Sequence, residues 1–190
     1  MIVLGIDPGT AVTGYGVVAS DDGPPACGQI GKAPLAGRGM TKKGVTGAPR
    51  LIECGVIRTS PGTPLSTRLK DIFDGVSELI ARHHPDALAV EDVFYARNVR
   101  TTLVLGHARG VVLLAGERAG LFVSEYSPAV IKKTVVGRGA ATKEQVQFMV
   151  ARLLHLRSAP RPADAADGVA CALTYVMTAG AARLRARAAG

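Results

Sequence analysis

Four acidic residues stand where chain elements end. Asp7 closes the apolar run 2–6, Glu91 closes the apolar run 86–90, and Asp164 and Asp167 lie three apart at a helix start, on one face. Carboxylates gathered without a counter-charge repel and raise one another's pKa, and hard divalent cations with oxygen ligands remove that penalty. If the two strand ends are neighbours and the last helix leans over them, the four acids form a cage for Mg²⁺, with Mn²⁺ substituting. Two such ions about 3.5 to 4 Å apart activate a water on one side of a phosphodiester and stabilise the leaving 3′ oxygen on the other. Each acid also has a plainer explanation: Asp7 capping its Pro-Gly turn, Glu91 ending a strand at the surface, Asp164 as an N-cap and Asp167 favouring the helix dipole.

The cations are unevenly placed. Between 132 and 161 the chain carries Lys132, Lys133, Arg138, Lys143, Arg152, Arg157 and Arg161 against one acid, Glu144, an asymmetry that suits a phosphate backbone as well as a solvated helix face. Lys132 and Lys143 bracket the Gly137-Arg138-Gly139 turn and a helix N-terminus, whose free N–H groups add to a grip on phosphate. Phe94 and Tyr95, followed by Arg97 and Asn98, put aromatic rings in a loop just after Glu91, where a ring either stacks on an unpaired base or packs beneath the loop. Nothing of His-rich or Cys-rich metal spacing competes with the acids: His83 and His84 sit at a helix end, and His107 and His155 stand alone. The three cysteines show no C-x-x-C spacing, which fits a reducing cytosol.

These residues need a scaffold. The run 2–6 reads as a buried strand, 13–19 as its hairpin partner and 51–59 as a third strand completing a meander. Residues 20–50 are rich in glycine, proline and scattered basic residues, and read as a flexible insertion. Thr63-Pro64 starts an amphipathic helix that Pro85 stops; 86–90 is a central strand covered on both faces; 101–119 is a helix whose Gly106 and Gly110 form a smooth strip for close packing; 121–126 is another strand. A capping box at Thr142 opens a helix to about 156, and 164–178 is the last helix, rich in alanine. With 190 residues, one domain is expected over 1–180, with the insertion at 20–50 and a basic tail at 181–190.

An apolar fraction of 47% with 20% charged residues excludes a mostly disordered chain and a coiled coil, and a net charge of +8 favours a polyanionic partner. There is neither an apolar run of the roughly 18 residues that span a bilayer nor a basic signal-peptide start, so a cytoplasmic location without membrane contact is expected.

Taken together, the motifs resemble one family, the RuvC Holliday-junction resolvases of bacteria, within the retroviral-integrase and RNase H superfamily. Gly5-Ile6-Asp7-Pro8-Gly9-Thr10 with Thr13-Gly14-Tyr15-Gly16-Val17 resembles the family's opening, Glu91-Asp92-Val93-Phe94 its second acidic segment, and Leu105-Gly106-His107-Ala108-Arg109-Gly110 its central helix. Lys132-Lys133-Thr134-Val135-Val136-Gly137 and Asp164-Ala165-Ala166-Asp167 complete the set. The resemblance implies an α/β, RNase H-like three-layer fold with a five-stranded mixed sheet and helices on both faces. It also implies a homodimer that cuts four-way DNA junctions by paired nicks leaving 5′-phosphate and 3′-hydroxyl ends, two metal ions per active site, and the partners RuvA and RuvB. By position, Asp7, Glu91, Asp164 and Asp167 become the metal-binding catalytic acids, Lys132 and Lys143 the cations near the cut phosphate, and Phe94 the ring near unpaired bases; Lys133, Arg138 and Arg97 are further candidate DNA contacts. Residues 20–50 depart from the family, which joins these strands by a much shorter link. Asp-x-Gly-Thr after a first strand also opens actin-like ATPases and sugar kinases, but those need a second related domain for which 190 residues leave no room. A catalytically silent junction-binding module and a ribosomal-RNA-processing nuclease are the remaining alternatives; the latter is less well matched at Val135-Val136-Gly137 and at the Phe94 loop.

Overall fold

The computed structural model describes residues 1–21, 48–92 and 99–188, with side chains to residue 179. Ten elements follow in the order β1 (Ile2–Asp7), β2 (Val12–Ala19), β3 (Arg50–Arg58), α1 (Leu65–His83), β4 (Ala87–Glu91), α2 (Val99–Arg118), β5 (Phe122–Tyr126), α3 (Pro128–Val136), α4 (Lys143–Leu153) and α5 (Ala163–Ala188). The strands form one five-stranded sheet of order β3-β2-β1-β4-β5. β1, β2 and β3 pair antiparallel as a meander, whereas β4 and β5 add in parallel through helical crossovers. Arg50, assigned by sequence to the insertion, is instead the first residue of β3, in register with Ala19.

Alternation along the strands divides the core. Leu4, Ile6, Leu88 and Val90 face α1 and α2 and pack with Ile72, Val76 and Val112; Val3, Ala87 and Ala89 face the other way, toward α5 flanked by α3 and α4. The result is three layers. On the α5 side the sheet presents mostly small residues, and three glycines, Gly5, Gly14 and Gly16, let the backbones meet. A Cβ on Gly5 would lie 2.2 Å from the Gly168 carbonyl oxygen and 2.4 Å from the Ala172 nitrogen, and one on Gly14 would lie 1.9 Å from the carbonyl oxygen of Asp164. At these glycines helix α5 is seated on main chain, while Val3, Val18, Ala87 and Ala89 share a buried cluster with its Val169 and Leu173.

Local signals account for most boundaries. At α4, Thr142 Oγ1 accepts from Gln145 N while Gln145 Oε1 accepts from Thr142 N at 3.0 Å, the reciprocal capping box the sequence announces. His84, left-handed at φ 45°, closes α1 just before Pro85. Helix α3 was not expected from the sequence: its β-branched composition resembles a strand, but Ser127 Oγ accepts from Val130 N as the N-cap, Pro128 takes the first helical position and left-handed Gly137 ends it. Gly106 and Gly110 do not mediate close packing as expected, because nothing lies within 4 Å of a Cβ built on either. The close contact on α2 falls at Gly116, where a Cβ would stand 2.5 Å from Leu88 Cδ2. Helix α5 continues to Ala188, across the boundary expected at residue 180. Among the described residues no helix is long and apolar enough to cross a membrane.

Candidate active site

β1 and β4 run parallel, and their register pairs Gly5 with Ala89 and Ile6 with Val90. Ile6 and Val90 point into the α1–α2 core, so the next residue on each strand, Asp7 and Glu91, projects to the α5 side. The direct seating of α5 then delivers its first two turns to the same spot. Carboxylate oxygens of Asp7, Asp164 and Asp167 all lie within 4.8 Å of one another. Glu91 stands outside that tight triplet but lines the same pocket of about 240 Å³ as Asp7, Asp167, Lys132 and Lys143. Ile131, Val146 and Ala170 supply an apolar part of its wall.

Burial and mutual repulsion show in the acidities. Burial, with the charges of Asp167 and Asp164 behind it, pushes the Asp7 carboxyl up to about 7. Burial, then Asp7 and Asp167, pushes Glu91 up to about 8, while Lys143 and Lys132 oppose the rise. Lys143 donates to Asp167 at 2.6 Å, and that bond holds its ammonium above the ordinary lysine value. The pocket thus carries more negative charge than its lysines neutralise, and all its acidic ligand atoms are hard oxygens. Such a donor set fits a divalent cation of the oxygen-seeking class, whose charge would remove the penalty that now keeps Asp7 and Glu91 protonated near neutrality.

The structure brings Asp7, Glu91, Asp164, Asp167, Lys132 and Lys143 together. Lys133 and Arg138 are exposed and do not line the pocket. Phe94 and Arg97 lie outside the described residues. Two contributions escaped the sequence reading. One is the glycine seating of α5, signalled only by the alternate glycines of β1 and β2. The other is Arg109 of α2, which pairs with Glu125 of β5 and, at 3.2 Å, with Asp92, tying the residue after Glu91 to the neighbouring strand from the opposite face.

A mixed sheet of this order with carboxylates at the ends of its two central parallel strands and on the helix above them defines an RNase H-like nuclease. Comparison narrows the class: the family model described as "Crossover junction endodeoxyribonuclease RuvC" matches residues 33–175. The crossover junction endodeoxyribonuclease RuvC of Desulforamulus reducens is 42% identical over 175 residues, covering 92% of this chain and 93% of its own. The structure of Thermus thermophilus RuvC superposes with a TM-score of 0.78 at 36% identity, covering 96% of this chain and 97% of that one. The same protein solved in complex with Holliday junction substrate gives 0.77 at 37% identity, covering 94% of each chain. The chain belongs to the RuvC family of endodeoxyribonucleases.

Proposed function

We propose that this chain resolves four-way DNA junctions in recombination and repair by paired symmetric nicks, with Asp7, Glu91, Asp164 and Asp167 as the metal-holding catalytic acids. The observation that carries the reading is the convergence of acids from three elements distant along the chain: Asp7, Glu91 and Asp167 line one pocket with two lysines, and Asp164 lies against Asp7 and Asp167. Mg²⁺, with Mn²⁺ as substitute and two ions per site, would supply Lewis acidity toward the attacking water and the scissile phosphate, giving 5′-phosphate and 3′-hydroxyl products. Asp7 and Glu91, whose carboxyls their surroundings push up to about 7 and about 8, would hold the ions as carboxylates. Lys143, kept cationic by Asp167, and Lys132 across the pocket present positive charge to the phosphate being cut. The apolar wall limits access of bulk water to the reacting groups. Lys133 and Arg138 extend the cationic surface, and Phe94 and Arg97 keep the roles of base stacking and DNA contact that the sequence assigns them.

The homodimer implied by a two-fold junction has a surface to use. Val99, Leu103, Gly106, Gly110 and Leu114 recur at helical spacing along one side of α2, and the three larger ones are 75%, 61% and 53% exposed. A second copy of the same strip covers them and supplies the second, equivalent active site. Family membership extends the reading to a cytoplasmic enzyme that receives its substrate from RuvA and RuvB. The test is nicking of a synthetic four-way junction with and without Mg²⁺: symmetric, metal-dependent cuts are expected, and equal cutting of linear duplex overturns the proposal.

A further inference from the structure

A second groove lies beside the pocket on α4. Lys143, at the start of that helix, lines the pocket, and Gln147, one turn later on the same side, lines the groove, so the two sites are contiguous along one helix. The groove holds about 350 Å³ between α4 and the segment that follows it, and its lining includes Gln147, Phe148, Ala151, Arg152, Leu156 and Arg157. Its aromatic member is out of place for a core residue: Phe148 is 62% exposed, in a chain with only four phenylalanines. The Arg152 guanidinium lies over its ring at 5.9 Å. Arg152 and Arg157 are both exposed and make no salt bridge among the described residues, and Glu144 is the single acid in the lining.

From this we infer that the α4 groove binds the duplex arm leading away from the cut, with Arg152 and Arg157 taking backbone phosphates and Phe148 bracing the Arg152 guanidinium against the sugar edge. The inference rests on the junction-resolving function proposed above. Two cations on a surface continuous with the pocket match a polyanion, and an aromatic face under a guanidinium restricts its motion and so reduces the entropy lost when it meets phosphate. Geometry sets the reach. Nine residues separate Lys143 from Arg152, about 14 Å of rise and two and a half turns, so the two side chains leave opposite sides of α4 roughly 17 Å apart. At about 3.4 Å per phosphate along one strand, the groove meets the backbone about four to six nucleotides from the cut. Such contacts carry no base information, so they add affinity uniformly and fix the arm's direction without altering which sequence is cut.

The experiment measures junction and linear-duplex affinity against salt for the full chain and for Arg152→Gln/Arg157→Gln. Each lost phosphate contact removes about one from the slope of log K against log salt, so the double variant is expected to fall by about two per protomer on both probes. Phe148→Ala, at an exposed position, is expected to weaken binding about two- to fivefold with an unchanged melting temperature. A junction with uncharged methylphosphonates about four to six nucleotides from the cut should bind wild type and double variant alike. An unchanged slope in the double variant, or an undiminished loss on the neutralised junction, overturns the inference and leaves the groove to a protein partner. If wild type binds duplex with the expected slope yet never nicks a junction, the proposed function fails while the groove contact stands.

Discussion

The two faces of the sheet are built on different rules. Toward α1 and α2, the sheet offers Leu4, Ile6, Val17, Leu88 and Val90 to Ile72, Val76 and Leu79, large side chains interleaved at ordinary helix–sheet spacing. That face also carries a polar network at the end of α1, where Tyr15 and His83 reach Glu53 at 2.8 Å and Arg82 reaches it at 3.2 Å. The Tyr15 bond lowers the Glu53 carboxyl, and burial with the same bond raises the tyrosine to about 12. Toward α5, main chain touches main chain through Gly5 and Gly14, and the charged groups are left in surplus rather than matched. The contrast teaches that one face is held by interleaved large side chains, while the other also fixes position through main chain and gathers unfavourable charge at the proposed catalytic pocket.

The comparison can be broken at several depths. The largest effect falls on the acids: Asp7→Asn should reduce junction cleavage on the order of a thousandfold or more while junction affinity, read by gel shift, persists. Retained cleavage would remove the functional meaning of the α5 face. Next come paired core changes. Ile72→Ala, fully buried on the α1 side, should cost about 2–5 kcal/mol in denaturant unfolding yet leave Mg²⁺ affinity of the folded protein unchanged. Gly14→Ala, a comparable loss of about 3 kcal/mol, should in addition weaken Mg²⁺ binding, because the new methyl displaces the turn that carries Asp164. Equal Mg²⁺ affinity in both variants would erase the distinction between the faces.

A smaller effect is expected from pH. Asp7 and Glu91 have folded-state values raised above their unfolded ones, so the folded protein binds extra protons and their stabilising contribution is complete in acid and lost as pH rises through about 7 and about 8. The melting temperature without metal should accordingly fall from about pH 5 to about pH 8, and saturating Mg²⁺ should flatten the curve. A metal-free curve that rises over this window would show that the stored charge is absent. Smallest is the exposed Lys70–Asp74 pair of α1, 2.5 Å apart one helical turn along, whose removal by Lys70→Ala should leave the melting temperature within error of wild type.

Much of this arrangement was legible before any coordinates. The strands announce themselves because their β-branched runs stop at Asp7-Pro8-Gly9 and at Glu91, and a carboxylate at a strand end is visible as sequence. Helix α4 was legible because a capping box is a local device. Helix α3 was not, because Val130, Ile131, Val135 and Val136 favour a strand and only Ser127-Pro128 and Gly137 argue otherwise. The glycines of α2 were visible as a strip for close packing, but whether a strip faces inward or outward depends on which side the sheet lies, and within this chain nothing described packs on it. The raised acidities of Asp7 and Glu91 and the Lys143–Asp167 bond depend on contacts across 24 to 160 residues of chain, which spacing alone does not contain.

Seating a helix on bare strand backbone also governs how the family can drift. Where side chains intervene, exchanging a leucine for a valine nudges neighbouring elements by fractions of an ångström. Beneath α5, at Gly5 and Gly14, there is no such spacer to exchange. The spacing of the clustered carboxylates is therefore written into the main chain, and sequence change elsewhere in the core can alter how firmly this protein folds long before it alters that spacing.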